Sequence, residues 1–80
     1  MRDEAILEGI GEVARLHLGW EGVLTPEMRL VEDLRLDSIR LLTLAAEVEN
    51  RFRILLDEVD EGGIQTVGDL VAIVRRKLGV

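Results

Sequence analysis

The sequence predicts an all-α fold: a four-helix bundle of three longer helices and one short one, with a long loop between the first and second helices. Three observations predict it. Apolar residues recur at steps of three and four in three separate stretches, the period of a helix with one buried face. The core-forming side chains are almost all Leu, Ile, Val and Ala, with Phe52 and Trp20 the only aromatics, a composition that suits a bundle better than a sandwich or barrel. There is no cysteine, so a disulfide framework, a thiolate zinc site and a cysteine nucleophile are all excluded, and the chain holds itself together by packing.

Ile6, Ile10, Val13, Ala14 and Leu18 form the first stripe, with Asp3 as the expected N-cap and Gly19 as the stop. Gly9 and Gly11 lie inside this helix, and each costs up to about 1 kcal/mol relative to Ala, so tertiary packing must hold it. From Trp20 to Leu36 the periodicity breaks down around Gly22 and Pro26. This reads as a loop whose Leu24, Leu30, Val31 and Leu34 are pinned to the core, with a single helical turn at Thr25-Pro26-Glu27. Loops of this length in a small domain tend to be functional.

Asp37 or Ser38 caps a second helix running to about Arg51. Leu41, Leu42, Leu44, Ala45, Ala46, Val48 and Phe52 give it a broad apolar surface, leaving Arg40, Thr43, Glu47 and Asn50 as a narrow polar stripe that a partner can reach. Asp57-Glu58-Val59-Asp60-Glu61 is too short and polar for a full helix and reads as one turn with a solvated face. Thr66, with Asp69 three residues on, opens the last helix in an approximate capping box, followed by the stripe Val67, Leu70, Val71, Val74 and Leu78. Arg75, Arg76 and Lys77 end it, where positive charge favours the helix dipole.

Eighty residues make one domain, residues 1–80, whose core supplies roughly 3–5 kcal/mol. A multidomain enzyme is excluded. Sixteen acidic against ten basic residues give a net charge of -6, which disfavours nucleic acid and anionic lipid and favours a basic protein surface as partner. No stretch approaches the roughly 20 apolar residues of a membrane span, and the acidic start is unlike a signal peptide, so a cytoplasmic monomer with no membrane insertion is expected.

Residues for an ordinary active site are lacking. His17, the one histidine, reads as a helix-end surface residue. The acidic run at Asp57 to Glu61 lacks the oxygen-ligand spacing of a calcium loop, so no metal is expected. Ser38 opening a helix reads, on local sequence alone, as ordinary capping. Its setting is more distinctive. Asp33-Leu34-Arg35-Leu36-Asp37-Ser38-Ile39 resembles the Asp-Leu-Gly-Leu-Asp-Ser-Leu motif of acyl carrier proteins. Glu47-Val48-Glu49-Asn50-Arg51-Phe52 is similar to the acidic run closing the second helix of that family, and Ile64-Gln65-Thr66-Val67-Gly68-Asp69 to its entry into the last helix.

The resemblance implies a freestanding carrier, not an enzyme, with 4'-phosphopantetheine attached at Ser38 beside Asp37. Its thiol would pass acyl intermediates between partners of fatty-acid, polyketide or another specialised acyl pathway. A helix N-terminus suits the phosphodiester anion. With no base nearby in sequence, a phosphopantetheinyl transferase must load the serine. The resemblance also implies that acyl ligases, acyltransferases or synthases with basic docking surfaces read Ile39, Arg40, Thr43, Glu47, Glu49, Asp57 and Glu58. Arg35, Arg40 and Thr43 stand where the family favours Gly or acids, which points to a specialised pathway. A loosely packed core between the second and last helices would shelter an acyl chain. Two alternatives stay open here: an aminoacyl or D-alanyl carrier, and a helical adaptor in which Ser38 is only a cap.

Overall fold

The computed structural model describes residues 2–79. Among them, four helices follow in order: α1 (Asp3–Leu18), α2 (Ser38–Phe52), α3 (Glu58–Gly62) and α4 (Val67–Leu78). The sole β pairing in these residues is an isolated bridge between Arg29 and Thr66. The sequence had predicted this all-α, three-long-and-one-short arrangement, and the long loop separates α1 from α2 as expected.

α1 packs against α2 and α4, burying Ile6, Gly9, Ile10, Val13 and Ala14. Its N-cap position is held by Arg2, without a side-chain cap bond; Asp3, expected to cap, is the first helical residue instead. There its carboxylate still favours the positive end of the helix and accepts from Arg75 Nη1 at 3.0 Å, tying the start of α1 to the end of α4. Gly9 is present for space. A Cβ built there would lie 2.6 Å from Cζ of Phe52, so the ring of α2 occupies the room a side chain on α1 would need.

The α1–α2 loop is anchored at both ends of its course. Leu24, Leu30, Leu34 and Leu36 are buried, whereas Val31, expected in the core, is 56% exposed. Thr25 to Met28 form a β-turn closed by Met28 N–H donating to Thr25 O at 3.1 Å, not a helical turn: Pro26 sits where its fixed φ suits the turn. Leu30 N–H donates to Gln65 O, Val67 N–H to Met28 O and Gly68 N–H to Pro26 O, at 3.0, 2.9 and 2.9 Å. A Cβ at Gly68 would sit 3.1 Å from Pro26 O, so glycine permits this close approach.

α4 begins as the sequence predicts. Thr66 accepts from Asp69 N–H and Asp69 accepts from Thr66 N–H in a capping box. α3 is a five-residue helix with its own box between Asp57 and Asp60. Its acidic face differs from the solvated run expected, because Asp60 is 4% exposed. The two arginine and lysine neighbours at the end of α4 make this tolerable: Arg76 binds Asp60 Oδ1 and Lys77 Nζ lies 2.9 Å from Oδ2. A buried carboxylate requires such pairing.

The Lys77 ammonium, followed by the Asp57 N–H, holds the Asp60 carboxyl below the ordinary aspartate value of 3.8. The Gln65 and Thr66 N–H groups do the same for Asp69. Depressed folded values mean that both groups contribute stability fully above 3.8 and lose it as pH falls through the folded values below that. Asp60→Asn is therefore expected to lower the thermal midpoint at neutral pH and to flatten its decline below about pH 4. Parallel acid limbs in melting curves for both proteins would contradict the clasp.

Candidate functional site

Where the loop turns into α2, the cap belongs to Asp37. Its backbone is extended, and its carboxylate accepts from Arg40 N–H at 2.8 Å. This is the N-cap geometry expected of Asp, whose carboxylate accepts from the N–H three residues on. Ser38 is thereby the first helical residue and not the cap. It is exposed, and its hydroxyl makes no hydrogen bond among the described residues, while Leu41 N–H is taken by Asp37 O at 2.9 Å. The N–H groups of Ser38 and Ile39 point out of the helix end without acceptors among those residues, and no acidic side chain occupies the first turn. An uncommitted hydroxyl thus stands beside free donors that favour an anion.

Ser38 also borders a cleft of about 340 Å³ between α2, the loop and the start of α4. Leu30, Leu41, Leu44, Ala45, Ile64 and Leu70 form its apolar walls, and the exposed Ser38, Leu42 and Glu61 lie on its open side. Leu44 of α2 and Leu70 of α4 face each other across it.

The remaining sequence-predicted residues fall into two groups. Ile39 is 74% exposed next to Ser38, and Asp57 and Glu58 are exposed at the start of α3. The polar stripe of α2, by contrast, is turned partly toward α1. Arg40 Nη1 donates to Leu18 O at 3.5 Å, Glu47 lies 3.4 Å from His17 Nε2, and Thr43 Oγ1 donates to Ile39 O within its own helix at 3.1 Å. Arg51, one turn beyond Glu47, pairs with Glu12 at 2.7 Å. Glu49 accepts from Leu56 N–H at 2.7 Å and so clamps the α2–α3 connection.

α2 is less buried than its composition suggests: only Leu44, Val48 and Phe52 are buried, while Leu42 is 64% exposed and Ala46 is exposed. The helical period contains the signal. At about 100° per residue, Leu42 and Ala46 lie some 200° from Leu44, on the opposite side of the helix. Leu42 and Glu61 at the cleft were the residues that sequence reasoning missed.

The phosphopantetheine attachment site family matches residues 5–79. Over 74 residues the chain is 34% identical to the meromycolate extension acyl carrier protein of Mycobacterium bovis, covering 91% of this chain and 64% of that protein. It therefore spans somewhat less than two thirds of that relative's length. An acyl carrier protein of Thermotoga maritima is 39% identical over 59 residues, covering 74% of this chain and 73% of the relative. A solved structure of a Mycobacterium tuberculosis protein assigned as an acyl carrier protein superposes with a TM-score of 0.83 at 32% identity, covering 89% of this chain and 96% of that one. A family match across nearly the whole chain, with the same fold, shows that this chain belongs to the acyl carrier protein family, whose hallmark is covalently attached 4'-phosphopantetheine.

Proposed function

We propose that Ser38 is the attachment point of 4'-phosphopantetheine and that the protein carries acyl groups between enzymes without catalysing a reaction itself. The observation that carries this reading is the division of labour at the start of α2: Asp37 does the capping, so the Ser38 hydroxyl is free and exposed at a helix end that favours an anion. The residues present fit the group. When bound, it supplies a terminal thiol that holds cargo as a thioester. Loading forms the bond from Ser38 Oγ to phosphorus and breaks the pyrophosphate of coenzyme A, releasing adenosine 3',5'-bisphosphate. The proton leaves to a base of the transferase, since Asp37, the acid next to Ser38, is engaged as the helix cap. Coenzyme A is an intracellular donor, which supports the reading of a cytoplasmic protein.

The apolar walls beside Ser38 favour an acyl chain over an aminoacyl cargo, whose ammonium would be desolvated there. Partners include the phosphopantetheinyl transferase and acyl ligases, acyltransferases or synthases of a specialised pathway. Asp57, Glu58 and Glu61, exposed along α3, offer such enzymes an acidic edge for basic side chains.

The test is coexpression with a broad-specificity phosphopantetheinyl transferase and measurement of intact mass, followed by peptide mapping. A single addition on the Ser38 peptide is expected; no addition, or one on a peptide lacking Ser38, would overturn the reading. The cleft gives a further expectation. Each methylene that enters it contributes about 0.8 kcal/mol, so the thermal midpoint of the acylated protein should climb from acetyl through hexanoyl to octanoyl. A midpoint independent of chain length would mean that the cargo stays in solvent.

A further inference from the structure

Glu61 is the one charged residue on the lining of the cleft beside Ser38; apart from the serine, every other lining residue is apolar. Its place follows from the residue before it. Asp60 is buried and held by Arg76 and by Lys77 Nζ, the latter at 2.9 Å, and this clasp fixes the rotation of α3 about its own axis. Successive side chains on a helix diverge by about 100°, so with Asp60 turned to the end of α4, Glu61 is carried round to the cleft. Its backbone is held as well: Glu61 N–H donates to Asp57 O at 3.0 Å, and Glu61 O accepts from Ile64 N–H at 3.3 Å. The carboxylate itself is exposed and forms no ion pair among the described residues. A fixed main chain thus presents an uncommitted acceptor at the mouth of an apolar cleft.

The group that Ser38 carries is not apolar along its length. Between its phosphate and its thiol, pantetheine bears amide N–H groups and a hydroxyl. A cargo enters the cleft only if part of this arm is drawn against the leucine and isoleucine walls with it, and an N–H withdrawn from water needs an acceptor. Esterification occupies the Ser38 oxygen, which leaves Glu61 as the only side-chain acceptor with a full charge on that lining. A hydrogen bond to a carboxylate is about twice as strong as one between neutral groups, so Glu61 offsets the desolvation of the arm better than a neutral residue in its place.

We propose that the Glu61 carboxylate accepts a hydrogen bond from an amide N–H of the pantetheine arm when an acyl chain lies in the cleft. Glu61 is then a positioning residue: it lets the polar arm follow its apolar cargo, and it ties the state of the arm to the length of the chain. A short acyl group gains too little from the walls to draw the arm in, and its amides stay hydrated. This rests on the reading of Ser38 as the attachment point.

The experiment loads the wild type, Glu61→Gln and Glu61→Ala with pantetheine labelled with nitrogen-15 at its amides and bearing either an acetyl or an octanoyl group. NMR then reads the solvent exchange of the arm N–H groups alone. In the wild type, at least one of them is expected to exchange about fivefold or more slowly under octanoyl than under acetyl. Glu61→Ala should abolish most of that difference, and Glu61→Gln should retain part of it, because its amide oxygen still accepts without the charge. The unloaded Glu61→Ala protein should melt with the wild type, which separates the arm contact from the fold. Equal exchange under both acyl groups in the wild type, or a difference that survives in Glu61→Ala, would overturn the proposal. So would a midpoint that falls together with the protection, since Glu61 would then serve the fold. Failure to attach the arm to the wild type, seen by intact mass, would strike the assignment of Ser38 and this inference with it, whereas the exchange results strike this inference alone.

Discussion

Ser38→Ala is expected to leave coexpression with a phosphopantetheinyl transferase at its unmodified mass, and yet to unfold within about 0.5 kcal/mol of the wild type, as exposed substitutions away from special features do. Both halves follow from the position of the cap. The hydroxyl makes no hydrogen bond among the described residues and is exposed, so removing it leaves nothing unsatisfied. Asp37→Ala should show the converse in denaturant: loss of the bond to Arg40 N–H costs about 0.5–2 kcal/mol. If Ser38→Ala were the less stable of the two, the serine would be the cap after all and the adaptor reading would gain.

Phe52→Ala is expected to leave little folded protein at room temperature. Truncating a buried Phe costs about 3–5 kcal/mol, as much as the roughly 3–5 kcal/mol that a core of this size supplies. The ring is 8% exposed and fills the space over Gly9, so the loss opens a void between α1 and α2 and not merely at one helix end. The same contact makes Gly9→Ala costly. Overpacking by one methyl costs about 1–3 kcal/mol, more than the helix preference for Ala of at most about 1 kcal/mol returns. Combining Gly9→Ala with Phe52→Leu should cost less than the two changes summed, measured by urea unfolding; strict additivity would show that the two positions do not share this space.

What was legible in the sequence was local. The Thr66 and Asp69 capping box and the Gly19 stop depend on residues within about a turn of one another, and the sequence narrows the cap of α2 to Asp37 or Ser38, which the structure decides for Asp37. The motif around Ser38 is a contiguous run, so the resemblance to the family is carried by the sequence alone. What was not legible depended on elements distant in sequence. Nothing near Asp60 announces its burial, because the cations that permit it come from Arg76 and Lys77. Nothing near Glu47 or Glu49 shows that one faces His17 and the other clamps Leu56. Val31 reads as core and is exposed, while Leu36 takes a buried place, since an irregular loop has no period from which to read a side.

The bridge between Arg29 and Thr66 also has a temporal meaning. One wall of the cleft at Ser38 comes from the loop and another from Ile64 and Leu70, so the shelter beside the serine exists only once the loop and α4 have met, whereas the cap by Asp37 needs only the residues of one turn.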